Sequence, residues 1–209
     1  MTSVLPRADL HISDEAMDYL MIQRGKLSEL CSDRDKWIPA YQESLLADFR
    51  SILPFLPARA DRILDIGSGM GGIDILLARH FGQPEVWLLD GDDDSPLMTH
   101  HWETFNCMRT ARQFQNSNGV ANLVTVSPGM EAQAAPCDLI VSLQAWCFHF
   151  SPEHYLEYVK ACCKPGTVLI LDVRKRYIWW RKALAETFRE IGTAEPPSEK
   201  FDRVAYVAV

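Results

Sequence analysis

Two hydrophobic periods divide the chain. Up to about residue 60 apolar positions recur at helical spacing, and from residue 62 onward short apolar runs alternate with amphipathic stretches. Residues 1 to 12 show no period. Ser13 then reads as the cap of a helix with Asp14 and Glu15 in its first turn and a stripe of Met17, Leu20, Met21 and Leu27. A second helix is expected from about Lys36, placing Pro39 near its first turn, with Ile38, Tyr41, Leu45, Phe49 and Ile52 as its stripe; Pro54, Pro57 and "ARADR" end it. Both precede the first strand, so they are expected to pack as an addition to the core that follows. The spacing thus predicts a helical extension over 1–60 and an α/β domain over 61–209.

In that second part "RILDI", "EVWLLD", "NLVTVS", "CDLIVSL" and "TVLILDV" are strand-sized. Helical stretches separate them: one through Ile73, Leu76, Leu77 and Phe81, one through Trp102, Phe105 and Phe114 to the turn "NSNG", and one opened by Ser151 and Pro152 and stopped at "KPG". Alternation of this kind implies a parallel sheet covered on both faces. "YIWWRKALAETFREIG" reads as a last helix and "FDRVAYVAV" as a closing strand, with a short partner near Thr193 to Pro196.

Charge and composition narrow the function. With 21 basic and 28 acidic residues the net charge is −7, which repels a phosphate backbone, and the one dense basic cluster is Arg174, Lys175 and Arg176 with Arg181 and Lys182. No apolar run is long enough to span a bilayer, and the N-terminus lacks a hydrophobic signal core. A cytoplasmic enzyme with a small-molecule substrate, and no nucleic-acid or membrane partner, is the expectation. The six cysteines form no C-x-x-C pair and read as reduced, buried residues.

The stretch "ILDIGSGMGG" after the first strand fits two fingerprints. Gly67, Gly69 and Gly72 form the G-x-G-x-x-G of a dinucleotide turn; Asp65 with Gly67, Gly69 and Gly71 forms the D-x-G-x-G-x-G of an S-adenosylmethionine loop. Asp90 ends the second strand, where an acidic residue serves an adenosine ribose in either class. Asp65 separates them. A carboxylate there accepts from the ammonium of an amino-acid tail and repels a pyrophosphate.

By "LDIGSGMGG", "WLLDGD", "CDLIVSLQAW", "KPGTVLILDV" and the final strand, the chain from about residue 60 resembles the class I S-adenosylmethionine-dependent methyltransferases. The resemblance implies a Rossmann-like α/β fold, with a mostly parallel seven-stranded sheet ending in an antiparallel strand. It also implies S-adenosyl-L-methionine as cofactor, held at Asp65, Gly67, Ser68, Gly69, Gly71, Asp90 and Gly91. Asp65 and Gly67 would meet the methionine end, Asp90 both ribose hydroxyls, and Met130, beside Glu131, the adenine. The N-terminal helices, carrying Tyr41, Gln42 and Glu43, would form a lid over the substrate.

Acceptor chemistry in such folds sits beyond the carboxyl ends of the strands, which directs attention to "LQAWCFHFSPEHY". Taken singly, Trp146, Phe148 and Phe150 read as packing that loop against the N-terminal helices. Taken together they wall a pocket with Gln144 and His149 as its polar groups. Tyr41, Gln144 and Trp146 are the candidate substrate contacts, and His149, whose ordinary pKa lies near working pH, is the candidate general base. Asp92, Asp93 and Asp94 look like a magnesium site but follow the second strand, beside the ribose, so metal-independent transfer is expected. The loop is similar to that of bacterial sugar and natural-product O-methyltransferases, which implies a small hydroxylated acceptor. A small-amine N-methyltransferase and a protein that only binds the cofactor are the alternatives.

Overall fold

In the computed structural model, which describes residues 6–94, 106–127, 134–195 and 198–209, one sheet runs through the chain. Its strands are β1 (Arg62–Ile66), β2 (Glu85–Leu89), β3 (Leu123–Val126), β4 (Leu139–Ser142), β5 (Val168–Arg174), β6 (Arg189–Thr193) and β7 (Phe201–Val207). The order is β3-β2-β1-β4-β5-β7-β6, parallel through β5, with β7 antiparallel to both neighbours. Strand order therefore reverses between β1 and β4, and the crevice at such a reversal is where open α/β sheets bind ligands.

The helices are α1 (Asp14–Gln23), α2 (Gly25–Leu30), α3 (Arg34–Ile52), α4 (Gly72–Phe81), α5 (Met108–Ser117), α6 (Leu156–Cys162) and α7 (Ile178–Ala185). Ser13 caps α1 as expected, its hydroxyl accepting from the Ala16 amide. Four boundaries differ from the sequence reading. The first helix stops at Arg24, which leaves helical geometry at φ −103°, ψ 44°, and Gly25 starts a separate α2. α3 begins at Arg34 under an Asp33 cap, so Pro39 lies inside the helix and denies the Asp35 carbonyl its helical donor. Ser151 and Pro152 open a 3-10 turn, Pro152–His154, before the shorter α6.

The largest difference is at the C-terminal end. α7 ends at Ala185, and Arg189–Thr193 forms β6; the sequence reading carries the helix through Gly192 and puts the short partner strand near Thr193 to Pro196, so the strand is present but starts earlier. Pairing with the edge of β7 satisfies that strand's outer hydrogen-bonding row, a tertiary gain that helix propensity cannot match. Trp102 and Phe105, placed on a helix by the sequence, lie outside the described residues.

The N-terminal helices do not sit on a finished core; they complete it. On one face of the sheet Met17, Leu20, Trp37, Tyr41, Leu45 and Phe49 share a buried cluster with Ile63, Val86, Leu88 and Val141 of the strands and Ile75 to Ala78 of α4. Trp37 stacks on Tyr41 at a centroid distance of 5.0 Å. α6 and α7 cover the opposite face, over Leu64, Ile140, Leu169, Leu171 and Tyr206.

A chain of alternating charge fastens α3 to the sheet. Asp172 of β5 and Arg203 of β7 are register partners and pair bidentately at 2.7 and 2.9 Å, both buried. Arg203 also reaches Asp48 of α3 at 3.0 Å and the Ser51 hydroxyl at 2.6 Å, and Asp48 holds Arg24 at 3.0 Å. Burial lifts Asp172 above the ordinary carboxylate range even though Arg203 opposes the shift. Removing one partner of a buried pair strands the other, so Arg203→Ala should cost about 3–5 kcal/mol of unfolding free energy. Urea titration checks this: the deficit should shrink as pH falls and Asp172 takes up a proton, and a loss that does not vary with pH would mean Asp172 is not the stranded charge.

Candidate functional site

The loop between β1 and α4 is shaped by three glycines in left-handed conformation, Gly67 at φ +70°, Gly69 at +60° and Gly71 at +71°. Gly67 has a second reason to be glycine: a Cβ there would lie 2.2 Å from that of Ala145, in the loop after β4. The Gly67 amide donates to the Leu89 carbonyl at 2.7 Å, which joins the loop to the end of β2.

Asp90, the residue after β2, clamps the loop. Its Oδ2 accepts from the Gly69 amide at 2.8 Å; its Oδ1 accepts from the Gly91 amide at 2.8 Å and from the backbone and side-chain amides of Asn106, each at 3.0 Å. Asn106 in turn accepts from the Gln23 side chain at the end of α1. The remaining acceptor capacity of Asp90 is on Oδ2.

These elements enclose a cavity of about 720 Å³ at the carboxyl ends of β1, β2 and β4. Of the residues singled out from the sequence, Asp65, Gly67, Ser68, Gly69, Asp90, Tyr41, Gln144, Trp146 and His149 all line it. Gly71 and Gly91 stand behind the lining, one bonded to the Ser68 carbonyl and the other to Asp90. Met130 lies outside the described residues.

Electrostatically the cavity is acidic at one end. Asp65 is 3% exposed, and its Oδ1 has no amide or hydroxyl donor. Behind it, in the first turn of α4, Asp74 is fully buried, and both its oxygens lack such a donor. Burial lifts Asp65 to about 7 against the hydrogen bond from Asp74, and lifts Asp74 well above the usual carboxylate range, with the Asp65 charge adding to the shift. The Tyr41 phenol, pushed up to about 12 by burial, is neutral. Arg24 brings the cation, its side chain 28% exposed.

The other end is aromatic. Gln144 and Cys147 adopt φ +59° and +65°, unusual for residues with a side chain, and a dense hydrogen-bond set holds them there. The Ser142 hydroxyl donates to the Ile66 carbonyl at 2.7 Å and accepts from the Trp146 amide at 2.9 Å, while the indole donates to the Pro152 carbonyl at 3.0 Å. The His149 amide is fixed to the Ala145 carbonyl at 2.8 Å. Trp146 packs into the core beneath α6 and α7, and Phe148 meets Phe201 of β7 edge-on at 5.7 Å, so these rings pack against the C-terminal half and not against the N-terminal helices. His149 is an exposed residue of this loop; partial desolvation, and then the Arg174 charge, hold its imidazole below its usual 6.5.

Several lining residues were not singled out from the sequence. Asn106, Gln23 and Arg24 gave no local signal. His154 and Tyr155 also line the cavity, His154 stacked on Phe150 at 5.1 Å. Asp74 carried a signal that was missed: an acid inside the apolar run "GGIDILL" either finds a partner or shifts its pKa. Asp93 binds Arg112 through two contacts at 2.6 and 2.7 Å, and Asp94 binds Arg109 at 2.7 Å, so two acids of the supposed magnesium run are engaged by arginines.

Comparison with known proteins gives the same outline. A search of curated protein sequences finds no match. A family model described as a methyltransferase domain matches residues 39–203. Among solved structures, the fold is similar to an S-adenosylmethionine-dependent methyltransferase of Aquifex aeolicus, 17% identical with a TM-score of 0.57 over 77% of this chain and 89% of that one. It is also similar to the N-methyltransferase NodS of Bradyrhizobium japonicum with bound S-adenosylhomocysteine, 16% identical, TM-score 0.58, over 91% of this chain and 98% of that one. A third is the fibrillarin pre-rRNA processing protein of Methanococcus jannaschii, 14% identical, TM-score 0.54, over 72% and 67%. The chain belongs to the methyltransferase-domain family, and its fold is that of S-adenosylmethionine-dependent methyltransferases.

Proposed function

We propose that the protein methylates a hydroxyl of a small, polar, sugar-like or natural-product molecule, without a metal, and that His149 is its general base. The observation that carries this reading is the position of His149, on the same cavity as the glycine loop, where partial desolvation and the Arg174 charge favour its neutral, proton-accepting form.

The lining suits the cofactor. Asp65 is an almost fully buried carboxylate with no protein cation beside it, which matches an ammonium, and Oδ2 of Asp90 has capacity left for a ribose hydroxyl. The positive-φ glycines let loop backbone approach the ligand closely. When bound, S-adenosyl-L-methionine supplies a methyl group on a sulfonium, so the protein's work is alignment of the acceptor and removal of its proton. Gln144, Trp146 and Tyr41 would orient the acceptor, and the His149 imidazole would take the hydroxyl proton as the oxygen becomes nucleophilic. In this reading the N-terminal helices cap the acceptor end as a wall built into the core, because the inner face of α3 is buried and Asp48 is ion-paired to Arg203 of β7. No helix among the described residues is long and apolar enough to cross a membrane.

A small amine is the second reading. His154 stacked on Phe150, with Tyr155 edge-on at 4.5 Å, makes an aromatic wall of the kind that attracts cationic amines. Methyl label followed from the cofactor into matched hydroxyl and amine compounds separates the two, and label in neither overturns both.

Two variants test the residue roles. Asp90→Ala should weaken S-adenosylhomocysteine binding at least about tenfold, since charge-assisted hydrogen bonds contribute about 1.5–3 kcal/mol each. Calorimetry measures this, and an unchanged dissociation constant would place the ribose elsewhere. His149→Ala should lower turnover by about 10²-fold with cofactor affinity kept. Arg174→Gln supplies the sign: removing a positive charge raises the imidazole's pKa, so the acid limb of the pH–rate profile should move to higher pH. A stationary limb would show that His149 is not the titrating base.

A further inference from the structure

Asp65 and Asp74 face each other across the start of α4, one on the strand side and one on the helix side. Among the described residues, Oδ1 of Asp65 and both oxygens of Asp74 are buried and receive no N–H or O–H from a third residue. Among the described residues, the titratable groups bearing on the pair are Asp90 at the end of β2 and the Tyr41 phenol of α3; no lysine or arginine is among them. The neighbouring Gln115 side chain of α5 spends its amide on the Met70 and Gly71 carbonyls, at 2.8 and 2.6 Å. Two carboxylates in such a place repel strongly, and one proton between them turns the repulsion into a short, charge-assisted hydrogen bond.

We propose that Asp74 is a positioning residue: it keeps its proton, donates it to Oδ1 of Asp65, and thereby leaves the other Asp65 oxygen, charged, for the cofactor's ammonium. This rests on the reading that Asp65 meets that ammonium. The pair then carries a single negative charge, matched to a single cation. Asp74 does not line the cavity, so its effect on the ligand runs entirely through Asp65. The raised acids also bind more protons in the folded than in the unfolded chain, so stability falls as pH rises from about 4 toward 7 and above.

The test compares wild type, Asp74→Asn and Asp74→Leu by calorimetry between about pH 6 and about pH 9, a range that spans the shifted carboxylate. Two probes are used: S-adenosylhomocysteine, and 5′-methylthioadenosine, which has the nucleoside and thioether but no amino-acid tail. Asparagine still donates to Asp65, so Asp74→Asn should keep wild-type affinity and pH dependence. Leucine donates nothing, so Asp65 should titrate at higher pH; S-adenosylhomocysteine binding should weaken about tenfold near neutrality and recover as pH rises. Methylthioadenosine binding should stay the same in all three. The ligand's own amino group titrates identically in each protein and drops out of the comparison. Wild-type S-adenosylhomocysteine binding in Asp74→Leu, an equal loss for both ligands, or a loss in Asp74→Asn as large as in Asp74→Leu would each overturn the proposal. If Asp74→Leu fails to fold, thermal melts of Asp74→Asn decide: stability should depend less steeply on pH than in wild type, and an unchanged slope overturns it. An Asp65→Asn variant that binds S-adenosylhomocysteine normally would sink the underlying reading of Asp65 instead.

Discussion

The site depends on the four N–H groups that converge on Asp90. Those donors come from the glycine loop, from Gly91 next to Asp90 and from Asn106 ahead of α5, and Asn106 passes the connection to Gln23 of α1. One carboxylate thus fixes the loop between β1 and α4 relative to β2 and relative to the N-terminal helices. The strand-order reversal between β1 and β4 opens the crevice, and the Asp90 clamp gives one wall of it a defined shape. Close approach of Gly67 to Ala145 sets the opposite wall, so both sides of the cavity are referenced to the same loop.

Buried charge is handled in two ways in this molecule, and the contrast distinguishes framework from site. Along Asp172, Arg203, Asp48 and Arg24 every acid has a guanidinium, and the chain of pairs staples α3 to β5 and β7. Asp65 and Asp74 have none. Burial of Asp65 without a cationic partner among the described residues disfavours its ionisation and so works against the folded state. A folded chain carries such a cost where it serves binding, because a cation entering from outside restores the balance that the protein left open.

Much of this was legible in the sequence. The strands from "RILDI" to "TVLILDV" declared themselves by apolar period, and the glycine loop, Asp65 and Asp90 by spacing, because backbone geometry constrains a short contiguous stretch. What stayed hidden was tertiary. Arg189–Gly192 reads in the sequence as the tail of the last helix and becomes strand because β7 offers an edge. Arg203 sits in an unremarkable strand, and its partners are 31 and 155 residues away. Asn106 and Arg24 reach the cavity through the fold, from segments whose local pattern is silent. The packing of α1 and α3 into the main core was invisible for the same reason: an amphipathic stripe shows that a helix is covered, not by what.

The acceptor end follows a different logic from the cofactor end. There glycines relieve strain, whereas in the loop after β4 Gln144 and Cys147 take left-handed conformations with their side chains in place. Conformations of that kind cost of order 1–3 kcal/mol each and persist only where surrounding bonds over-determine them. Ser142, the Trp146 indole and the Ala145 carbonyl supply those bonds, and the loop is joined to β5 by the Arg174 amide donating to the Cys147 carbonyl at 3.0 Å. His149 is therefore carried on a rigid support although it sits in a loop, and a proton acceptor held in one place is what alignment with a small substrate requires. In the proposed function the same loop, which also supplies Gln144 and the ring of Phe150, would govern both where the proton goes and which acceptor fits.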